Sequence, residues 1–370
     1  MGLSSRKPAD ARHRHGPNRG HGGGQPPPRP CRAGGYAGLG ALCLLILALL
    51  AAPLHAGTLR VATWHLGLAR DGPGLLLRDI GRDDDPRLAA IAAHLAAISP
   101  DILVVQGVDH DHDLLTLTAL RDRIARDGPR YPHLFALRPN RGWPTGLDMD
   151  GDGRPGGAGD AQGYGAFSGQ GGMAILSRYP LDSAAARDWS AVLWRDLPGA
   201  LLPRSEGRAF PSEAAQAVQR LSTTGHWAVP VILPEGRLTI LAFHATPPVF
   251  DGPEDRNGRR NADEIRLWQL ILDGAFGPAP EPPFVLAGVA NLDPARGDGR
   301  RDAIHALLAD TRLQDPLPGQ PTATWPGTGP LRVSVLLPSA DLTVTGAGLH
   351  PSEADLTGPH RMLWVDLARE

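Results

Sequence analysis

Short apolar segments that alternate with helical patterns and Gly/Pro-rich loops fill the chain from residue 58 onward. Runs of about four to eight residues rich in Val, Ile and Leu are typical of strands, whereas apolar residues three or four apart are typical of helices. The strand-like segments are LRVATW, ILVVQ, MAILS, WAVPVIL, LTILAFHA, FVLAG, LRVSVLL and MLWVDL. Mixed strands with helices between them predict a layered α/β sandwich.

Capping residues predict where three of the helices begin. Asp85 precedes Pro86, which is the usual order of an N-cap and a first helical residue. Asp113 is the predicted cap of a second helix. Asn261 and Glu264 resemble a capping box before a third.

The first 56 residues differ in composition from the rest. Residues 1–38 are basic and rich in Gly and Pro, with too few apolar residues to form a core, so we expect disorder. Residues 39–56 are apolar and uncharged, which predicts a signal peptide and export to the periplasm or the extracellular space. An uncleaved membrane anchor is the alternative. Residues 58–368 then form the one folded domain, with no membrane segment.

Cysteine usage and charge exclude several kinds of function. Both cysteines, Cys31 and Cys43, lie in the first 56 residues, so the body has neither a disulfide nor a Cys-based catalytic or zinc site. The body carries 30 basic and 38 acidic residues, a net charge of −8. This balance gives no strong signal for nucleic-acid binding. Partners and oligomeric state are not encoded in any recognisable pattern.

Seven segments, taken in order, resemble the motifs of the endonuclease/exonuclease/phosphatase family of metal-dependent, DNase I-like phosphodiesterases. They are VATWHL, LVVQGVD, GGMAILSRYP, LAFHATPP, LAGVANLDP, LRVSVLLPS and TGPHRMLWVDL. The resemblance covers about residues 58–368. It implies a four-layer sandwich of two packed mixed β-sheets flanked by helices, with the site at a rim where strand ends meet. The family holds a divalent ion, usually Mg²⁺, that polarises the phosphate, while a carboxylate orients the attacking water.

Within these motifs the chain keeps some functional positions and has replaced others. The resemblance gives catalytic roles to three retained residues, which are His244, Asn291 and His360. The positions of the family's asparagine, metal-binding glutamate and two aspartates are occupied by His65, Gly107, Val289 and Ser334. Because Mg²⁺ is normally held by one or two carboxylates, we expect no metal at the family site. We therefore interpret the domain as a pseudoenzyme.

Two alternatives retain activity through substituted ligands. Asp109, in the run VDHDHD, lies two residues after Gly107 and would face the same side of a continued strand, so a magnesium site is one possibility. The other is a zinc site of three imidazoles, from His65, His244 and His360. Either alternative would make the protein a phosphodiesterase, nuclease or phosphatase.

An acidic loop lies outside these motifs. Asp148, Asp150 and Asp152 alternate as in the first half of a calcium-binding loop, and Gly153 permits the turn. The glutamate expected at the twelfth position is replaced by Gly159. Calcium binding and an ordinary polar turn are both consistent with this pattern.

The substituted pocket also predicts a ligand. A site that has lost carboxylates and gained an imidazole favours anions, so we expect it to bind a phosphate-containing ligand without a divalent ion. Since the ordinary pKa of histidine is about 6.5, this binding should strengthen toward about pH 5–6.

Overall fold

The computed structural model describes residues 57–369. The predicted disordered leader and export segment, residues 1–38 and 39–56, lie outside the described residues. Among the described helices, none combines the length and the apolar character needed to cross a membrane.

The first sheet contains the two ends of the folded domain. Its strands are β1 (Thr58–His65), β2 (Ile102–Val108), β3 (His133–Phe135), β4 (Gly172–Ser177), β14 (Val344–His350) and β15 (Met362–Ala368). Their order is β14–β15–β1–β2–β4–β3. β1 and β2 run parallel, with His65 beside Gln106. The carboxyl ends of these two central strands therefore open on the same edge of the sheet.

The second sheet has five strands. They are β5 (Arg187–Asp188), β8 (His226–Leu233), β9 (Gly236–His244), β10 (Phe284–Val289) and β13 (Ser334–Pro338), in the order β13–β10–β9–β8–β5. β9 and β10 are parallel, and β13 is antiparallel to β10. Two small hairpins complete the strands, β6 (Arg204–Ser205) with β7 (Arg208–Ala209) and β11 (Ala323–Trp325) with β12 (Gly329–Leu331). The predicted strand LRVSVLL is thus divided between β12 and β13.

Seven α-helices are present in the described part of the chain. They are α1 (Leu75–Arg82), α2 (Pro86–Ile98), α3 (Leu115–Asp127), α4 (Glu213–Val218), α5 (Arg256–Leu272), α6 (Asp302–Leu308) and α7 (Ala354–Thr357). α1, α2 and α3 pack on the outer face of the first sheet, and α5 and α6 pack on the outer face of the second.

The main core lies between the two sheets. It is formed by side chains from both inner faces, including Val61, Val104 and Ile175 from the first sheet and Val229, Ile240 and Val285 from the second. All six are fully buried. Helices, sheet, sheet and helices therefore form four layers, and the predicted fold class is confirmed.

Two of the three predicted helix starts need correction. Asp85 caps α2 as expected, since its carboxylate accepts a hydrogen bond from the Arg87 amide. The N-cap residue of α3 is Leu114 and not Asp113, and the first-turn amides of Leu115 and Thr116 donate instead to the carboxylate of Asp111. Asn261 and Glu264 lie inside α5 and are buried, so they are not a capping box.

Candidate functional site

Three histidines from separate parts of the chain meet at the edge where β1 and β9 end. The ring centroid of His65 lies 5.1 Å from that of His244 and 4.6 Å from that of His360. His244 and His360 are each only 5% exposed. The backbone carbonyl of His360 accepts a hydrogen bond of 3.0 Å from the Trp64 indole, which ties the His360 segment to β1. Trp325 packs edge-on against the His360 ring at 5.2 Å.

Two substituted positions lie beside this cluster in regular sheet register. Val289 of β10 pairs with His244 on one side and with Ser334 on the other. Both Val289 and Ser334 are buried. The sheet geometry here is undisturbed, and only the side-chain chemistry differs from the family pattern.

The Gly107 position is different because the backbone itself has an irregular geometry. The pairing of β2 with β4 shifts register between Gln106 and Val108, and Gly107 has φ +74°, a left-handed conformation that favours glycine. A Cβ atom at Gly107 would lie 2.8 Å from Cε1 of His65 and 3.0 Å from the amide nitrogen of Gly67. The His65 imidazole therefore fills the space that a longer side chain at 107 would need.

The aspartates nearest to the substituted positions are already engaged. Asp109 is 5% exposed, and its two carboxylate oxygens accept hydrogen bonds from the amides of Arg70 and Gly171. Burial raises the pKa of this carboxyl. Asp293 accepts from three backbone amides, those of Ala295, Arg296 and Arg332. Both aspartates hold loops in place, and each of their carboxylate oxygens already accepts at least one hydrogen bond.

The family's Mg²⁺ does not fit these residues. Hard cations need oxygen ligands, whereas the cluster offers imidazoles, a valine and a serine. Zinc would accept imidazoles, but in the described part of the chain the one group of His, Cys, Asp or Glu whose ligand atoms all lie within 4.8 Å is Asp148, Asp150 and Asp152. The three pocket histidines are close, yet their nitrogens are not arranged as a preformed zinc site.

Arg141 is the cation of this pocket, and sequence analysis did not identify it. Its guanidinium makes no hydrogen bond or ion pair with any residue that the structure describes, and its buried Nε has no partner. The positive charge is near enough to lower the pKa values of His65 and His244. Arg141 lies in the irregular segment between β3 and β4, where no strand, helix or motif pattern points to it.

The histidines of the pocket are neutral at pH 7. Burial lowers the pKa of His65 and His244 well below the ordinary value and lowers that of His360 to about 4. The Nδ1 atoms of His244 and His360 have no hydrogen-bond partner. The expectation that the pocket gains positive charge near pH 5–6 is therefore wrong, because burial moves this titration to lower pH.

Asn291 and two residues of α5 hydrogen-bond the loops next to His244. The backbone of Asn291 has φ +53°, and its side chain donates a 2.8 Å hydrogen bond to the carbonyl of Ala245, the residue after His244. Asn261 donates to the carbonyls of Thr246 and Ala290, and Glu264 accepts from the Thr246 amide. These contacts fix the loops that follow β9 and β10, and so the position of His244.

The acidic loop is a series of tight turns. Asp148 accepts hydrogen bonds from the amides of Gly151 and Gly153, and Asp150 accepts from that of Asp152. At the twelfth position a Cβ on Gly159 would lie 1.9 Å from an Asp150 oxygen. The following residue, Asp160, is buried and directs its oxygens to the amides of Met149 and Gly157. The three aspartates converge without the ligand expected from the twelfth position.

A four-layer sandwich with histidines at the rim where strands end defines a phosphoesterase-like fold. The family model described as "Endonuclease/Exonuclease/phosphatase family" matches residues 72–361. The chain belongs to the endonuclease/exonuclease/phosphatase family.

Solved structures agree with this fold. An endonuclease/exonuclease/phosphatase from Beutenbergia cavernae DSM 12333 superposes with a TM-score of 0.53 at 19% identity, covering 84% of this chain and 71% of that one. A family protein from Leptotrichia buccalis C-1013-b gives a TM-score of 0.50 at 13% identity, covering 84% and 99%. No curated protein matches the sequence.

Proposed function

We propose that this protein is an exported pseudoenzyme of its family whose pocket binds a phosphate group without a divalent ion. One observation carries the proposal: the Arg141 guanidinium, which makes no hydrogen bond with any described residue, lies near His65 and His244 at a family site whose nearest aspartate, Asp109, already accepts two hydrogen bonds. A partly exposed guanidinium with no hydrogen-bond partner favours an anionic ligand, and the oxygens of a bound phosphate would accept hydrogen bonds from it.

The absence of metal ligands supports the loss of catalysis. Removal of one preorganised electrostatic group costs about 10²–10³ in rate. Here the positions of the metal-binding glutamate and both aspartates carry Gly107, Val289 and Ser334. Since the metal and the water-orienting base are affected together, we expect no turnover above background.

Calorimetry with inorganic phosphate tests the binding. We expect weak binding at pH 7 that is unchanged by a chelator, and Arg141→Gln should weaken it about tenfold or more, since a charge-assisted hydrogen bond contributes about 1.5–3 kcal/mol. Arg237→Gln is the matched control, because Arg237 lies at the opposite end of β9 and pairs with Asp182. Binding that disappears with chelator would mean that a metal site survives and would contradict the proposal.

The pH dependence of anion binding follows from the permanent charge of Arg141 and the titration of the buried histidines. Arg141 stays charged across the accessible range, so the affinity for sulfate, a tetrahedral dianion that does not titrate in this range, should change little between about pH 8 and 6. Protonation of His360 contributes only as the pH approaches about 4. Measurement at three pH values distinguishes this from the rise at pH 5–6 that ordinary histidines would produce.

Restoring the family pattern tests the loss of catalysis directly. The variant that combines His65→Asn, Gly107→Glu, Val289→Asp and Ser334→Asp should gain Mg²⁺-dependent phosphodiesterase activity if the scaffold is otherwise intact. The strain at Gly107 works against this gain, so folding must be checked by circular dichroism. Equal activity in the parent protein would refute the pseudoenzyme proposal.

An active phosphodiesterase, nuclease or phosphatase with substituted ligands is the competing function. It is favoured by the retention of His244, Asn291 and His360. Assays with Mg²⁺, Mn²⁺, Ca²⁺ and Zn²⁺ on DNA, nucleotides and phosphorylated lipids separate the two. Turnover that His244→Ala abolishes would establish the active alternative.

Export is proposed from the sequence of residues 1–56 alone. N-terminal sequencing of the exported form should begin near Gly57. Retention of the leader in the membrane fraction would support the anchor alternative, whereas a purely cytoplasmic protein would contradict both.

A further inference from the structure

A second cluster of metal-ligating side chains lies on the outer surface of α2, outside the family site. Nε2 of His94, on α2, is 3.0 Å from Oε1 of Glu353, the residue before α7. The ring of His350, at the end of β14, lies 4.6 Å from that of His94 and nearly perpendicular to it. Two histidines and one glutamate from three elements are therefore neighbours, with His94 in contact with both of the others.

These side chains face an open cavity. Its volume is about 530 Å³, and its lining includes His94, His350, Glu353 and three alanines of α2, Ala89, Ala90 and Ala93. The small alanine side chains leave room above the imidazoles. An incoming ion therefore has direct access to the cluster.

His94 is a largely buried residue of α2 whose imidazole has few hydrogen-bond partners. It is 7% exposed, its Nδ1 has no hydrogen-bond partner, and the partner of its Nε2 is a largely exposed carboxylate. Because the carboxylate paired with Nε2 is exposed, this nitrogen is the one that an ion approaching from solvent can reach.

We propose that His94, His350 and Glu353 bind a divalent transition-metal ion of the zinc class. Zinc accepts His₂Glu ligand sets with Zn–N and Zn–O distances of about 2.0–2.2 Å, which place two tetrahedral ligand atoms about 3.3 Å apart. The observed distance of 3.0 Å between Nε2 and Oε1 is close to this edge. An ion inserts between them by small movements of both side chains.

The third ligand requires one rotation. The His350 nitrogens do not complete a group within 4.8 Å, since the Asp148 group alone meets that limit among the described residues. His350 is partly exposed at a strand end, so its side-chain torsions are free to turn a nitrogen toward the ion.

The ion would join α2 to the segment that carries His360. Glu353 begins the turn of α7, which leads within seven residues to His360. Trp64, whose indole bonds the His360 carbonyl, also packs against His94 at 5.7 Å. The bound ion would therefore link α2 to the segment that forms one wall of the pocket. This proposal does not depend on whether the pocket binds phosphate.

Zinc titration of the full chain by calorimetry tests the proposal. We expect the unmodified protein to bind one more zinc ion than His350→Ala and Glu353→Gln. Each variant should weaken that site by more than the 10–100-fold typical of a lost outer-shell partner. His94→Ala should do the same, and the two partly exposed positions keep the test valid if that variant fails to fold. Cobalt(II) absorption provides an independent reading, because imidazole ligation changes its visible spectrum.

Controls separate this site from others that bind zinc. His305→Ala removes an exposed imidazole of α6 that hydrogen-bonds the Pro294 carbonyl, and it should leave zinc binding unchanged. His244→Ala reports on the pocket, and the four histidines within residues 1–56 are present in every variant. Zinc binding that is lost in His244→Ala but retained in His350→Ala and Glu353→Gln would overturn the inference. Equal binding by all variants would overturn it as well.

Discussion

The pocket and the acidic loop differ in the sign of their charged groups and in how far those groups are buried. The pocket gathers His65, His244, His360 and Arg141 in a largely buried site with no free carboxylate. The loop gathers Asp148, Asp150 and Asp152 in a mostly exposed site in which the charged groups bond to backbone amides. On the proposal made above, the family site no longer binds a divalent ion, while a candidate cation site lies elsewhere on the same domain.

Burial moves the pKa values of titratable groups in both regions, but it changes the charge state near neutral pH only in the pocket. Burial lowers the pKa values of the pocket histidines, so these groups are neutral where ordinary histidines begin to titrate. At the loop, partial desolvation and the neighbouring charges of Asp160, Asp152 and Asp148 raise the pKa of Asp150. The pocket consequently keeps one permanent charge, and the loop keeps several.

The largest expected effect of this difference is acid destabilisation by the pocket. Below about pH 6.5 the unfolded chain binds a proton at each histidine, while the folded chain does not until the lowered pKa is reached. For His360, with a pKa of about 4, stability should be complete above about pH 6.5 and fall by about 1.4 kcal/mol per pH unit below it. The total is about 3 kcal/mol at pH 4. Urea unfolding at pH 7, 5.5 and 4.5 measures the loss.

Replacement of His360 measures how much this residue contributes to the loss of stability on acidification. His360→Gln should lose less stability on acidification than the parent, with a slope that is smaller by about 1.4 kcal/mol per pH unit, the value for one proton. Asp160 provides the contrast from the loop, because its pKa is lowered and its stabilising effect is lost only below the ordinary aspartate range. An identical acid slope in His360→Gln and the parent would show that this histidine is not kept neutral by burial.

A smaller effect, about 2–3 kcal/mol, is expected from Gly107→Ala. The left-handed backbone costs about 1–2 kcal/mol for any L side chain, and the contact with His65 adds a steric cost. Gly153→Ala is the matched control in the loop, since Gly153 has φ +81° but nothing lies within 4 Å of the position that a Cβ would take. Denaturant unfolding of both variants should show the larger loss at 107.

The double variant His65→Ala with Gly107→Ala separates the two causes. Removal of the imidazole should recover the steric part and leave the backbone part. If Gly107→Ala is no more destabilising than Gly153→Ala, His65 does not occupy the space of the missing carboxylate.

The order of the seven motifs was enough to predict the fold and to bring His65, His244 and His360 together. His65 and His244 end strands and His360 precedes one, and the family fold places these strand termini at one edge, which the ring distances support. The motif alignment also identified Gly107 as a substituted position. It did not reveal the positive φ or the imidazole above it, because both depend on the register shift between β2 and β4.

The roles of Arg141, Asn261 and Glu264 in the site could not be predicted from the sequence around them. Arg141 is recognised only when a loop distant in sequence from the motifs folds against His65 and His244. Asn261 and Glu264 did attract attention, but the three-residue spacing was interpreted as a helix cap. The same spacing places two side chains on one face of a continuing helix, where they bond the loops after β9 and β10.

The smallest expected effect concerns calcium at the acidic loop. Exported proteins meet calcium at concentrations that suit sites with Kd of about 10⁻⁴–10⁻³ M. A concentration about five times Kd would stabilise the folded state by about 1 kcal/mol, a rise of about 2 °C in the melting temperature. Asp150→Ala should abolish the rise, whereas Asp84→Ala, at an exposed aspartate outside the loop, should retain it. Because the pocket offers no free carboxylate, the rise should also survive His244→Ala. A melting curve unchanged at millimolar calcium would make the loop an ordinary turn, and a rise lost in His244→Ala would return cation binding to the pocket.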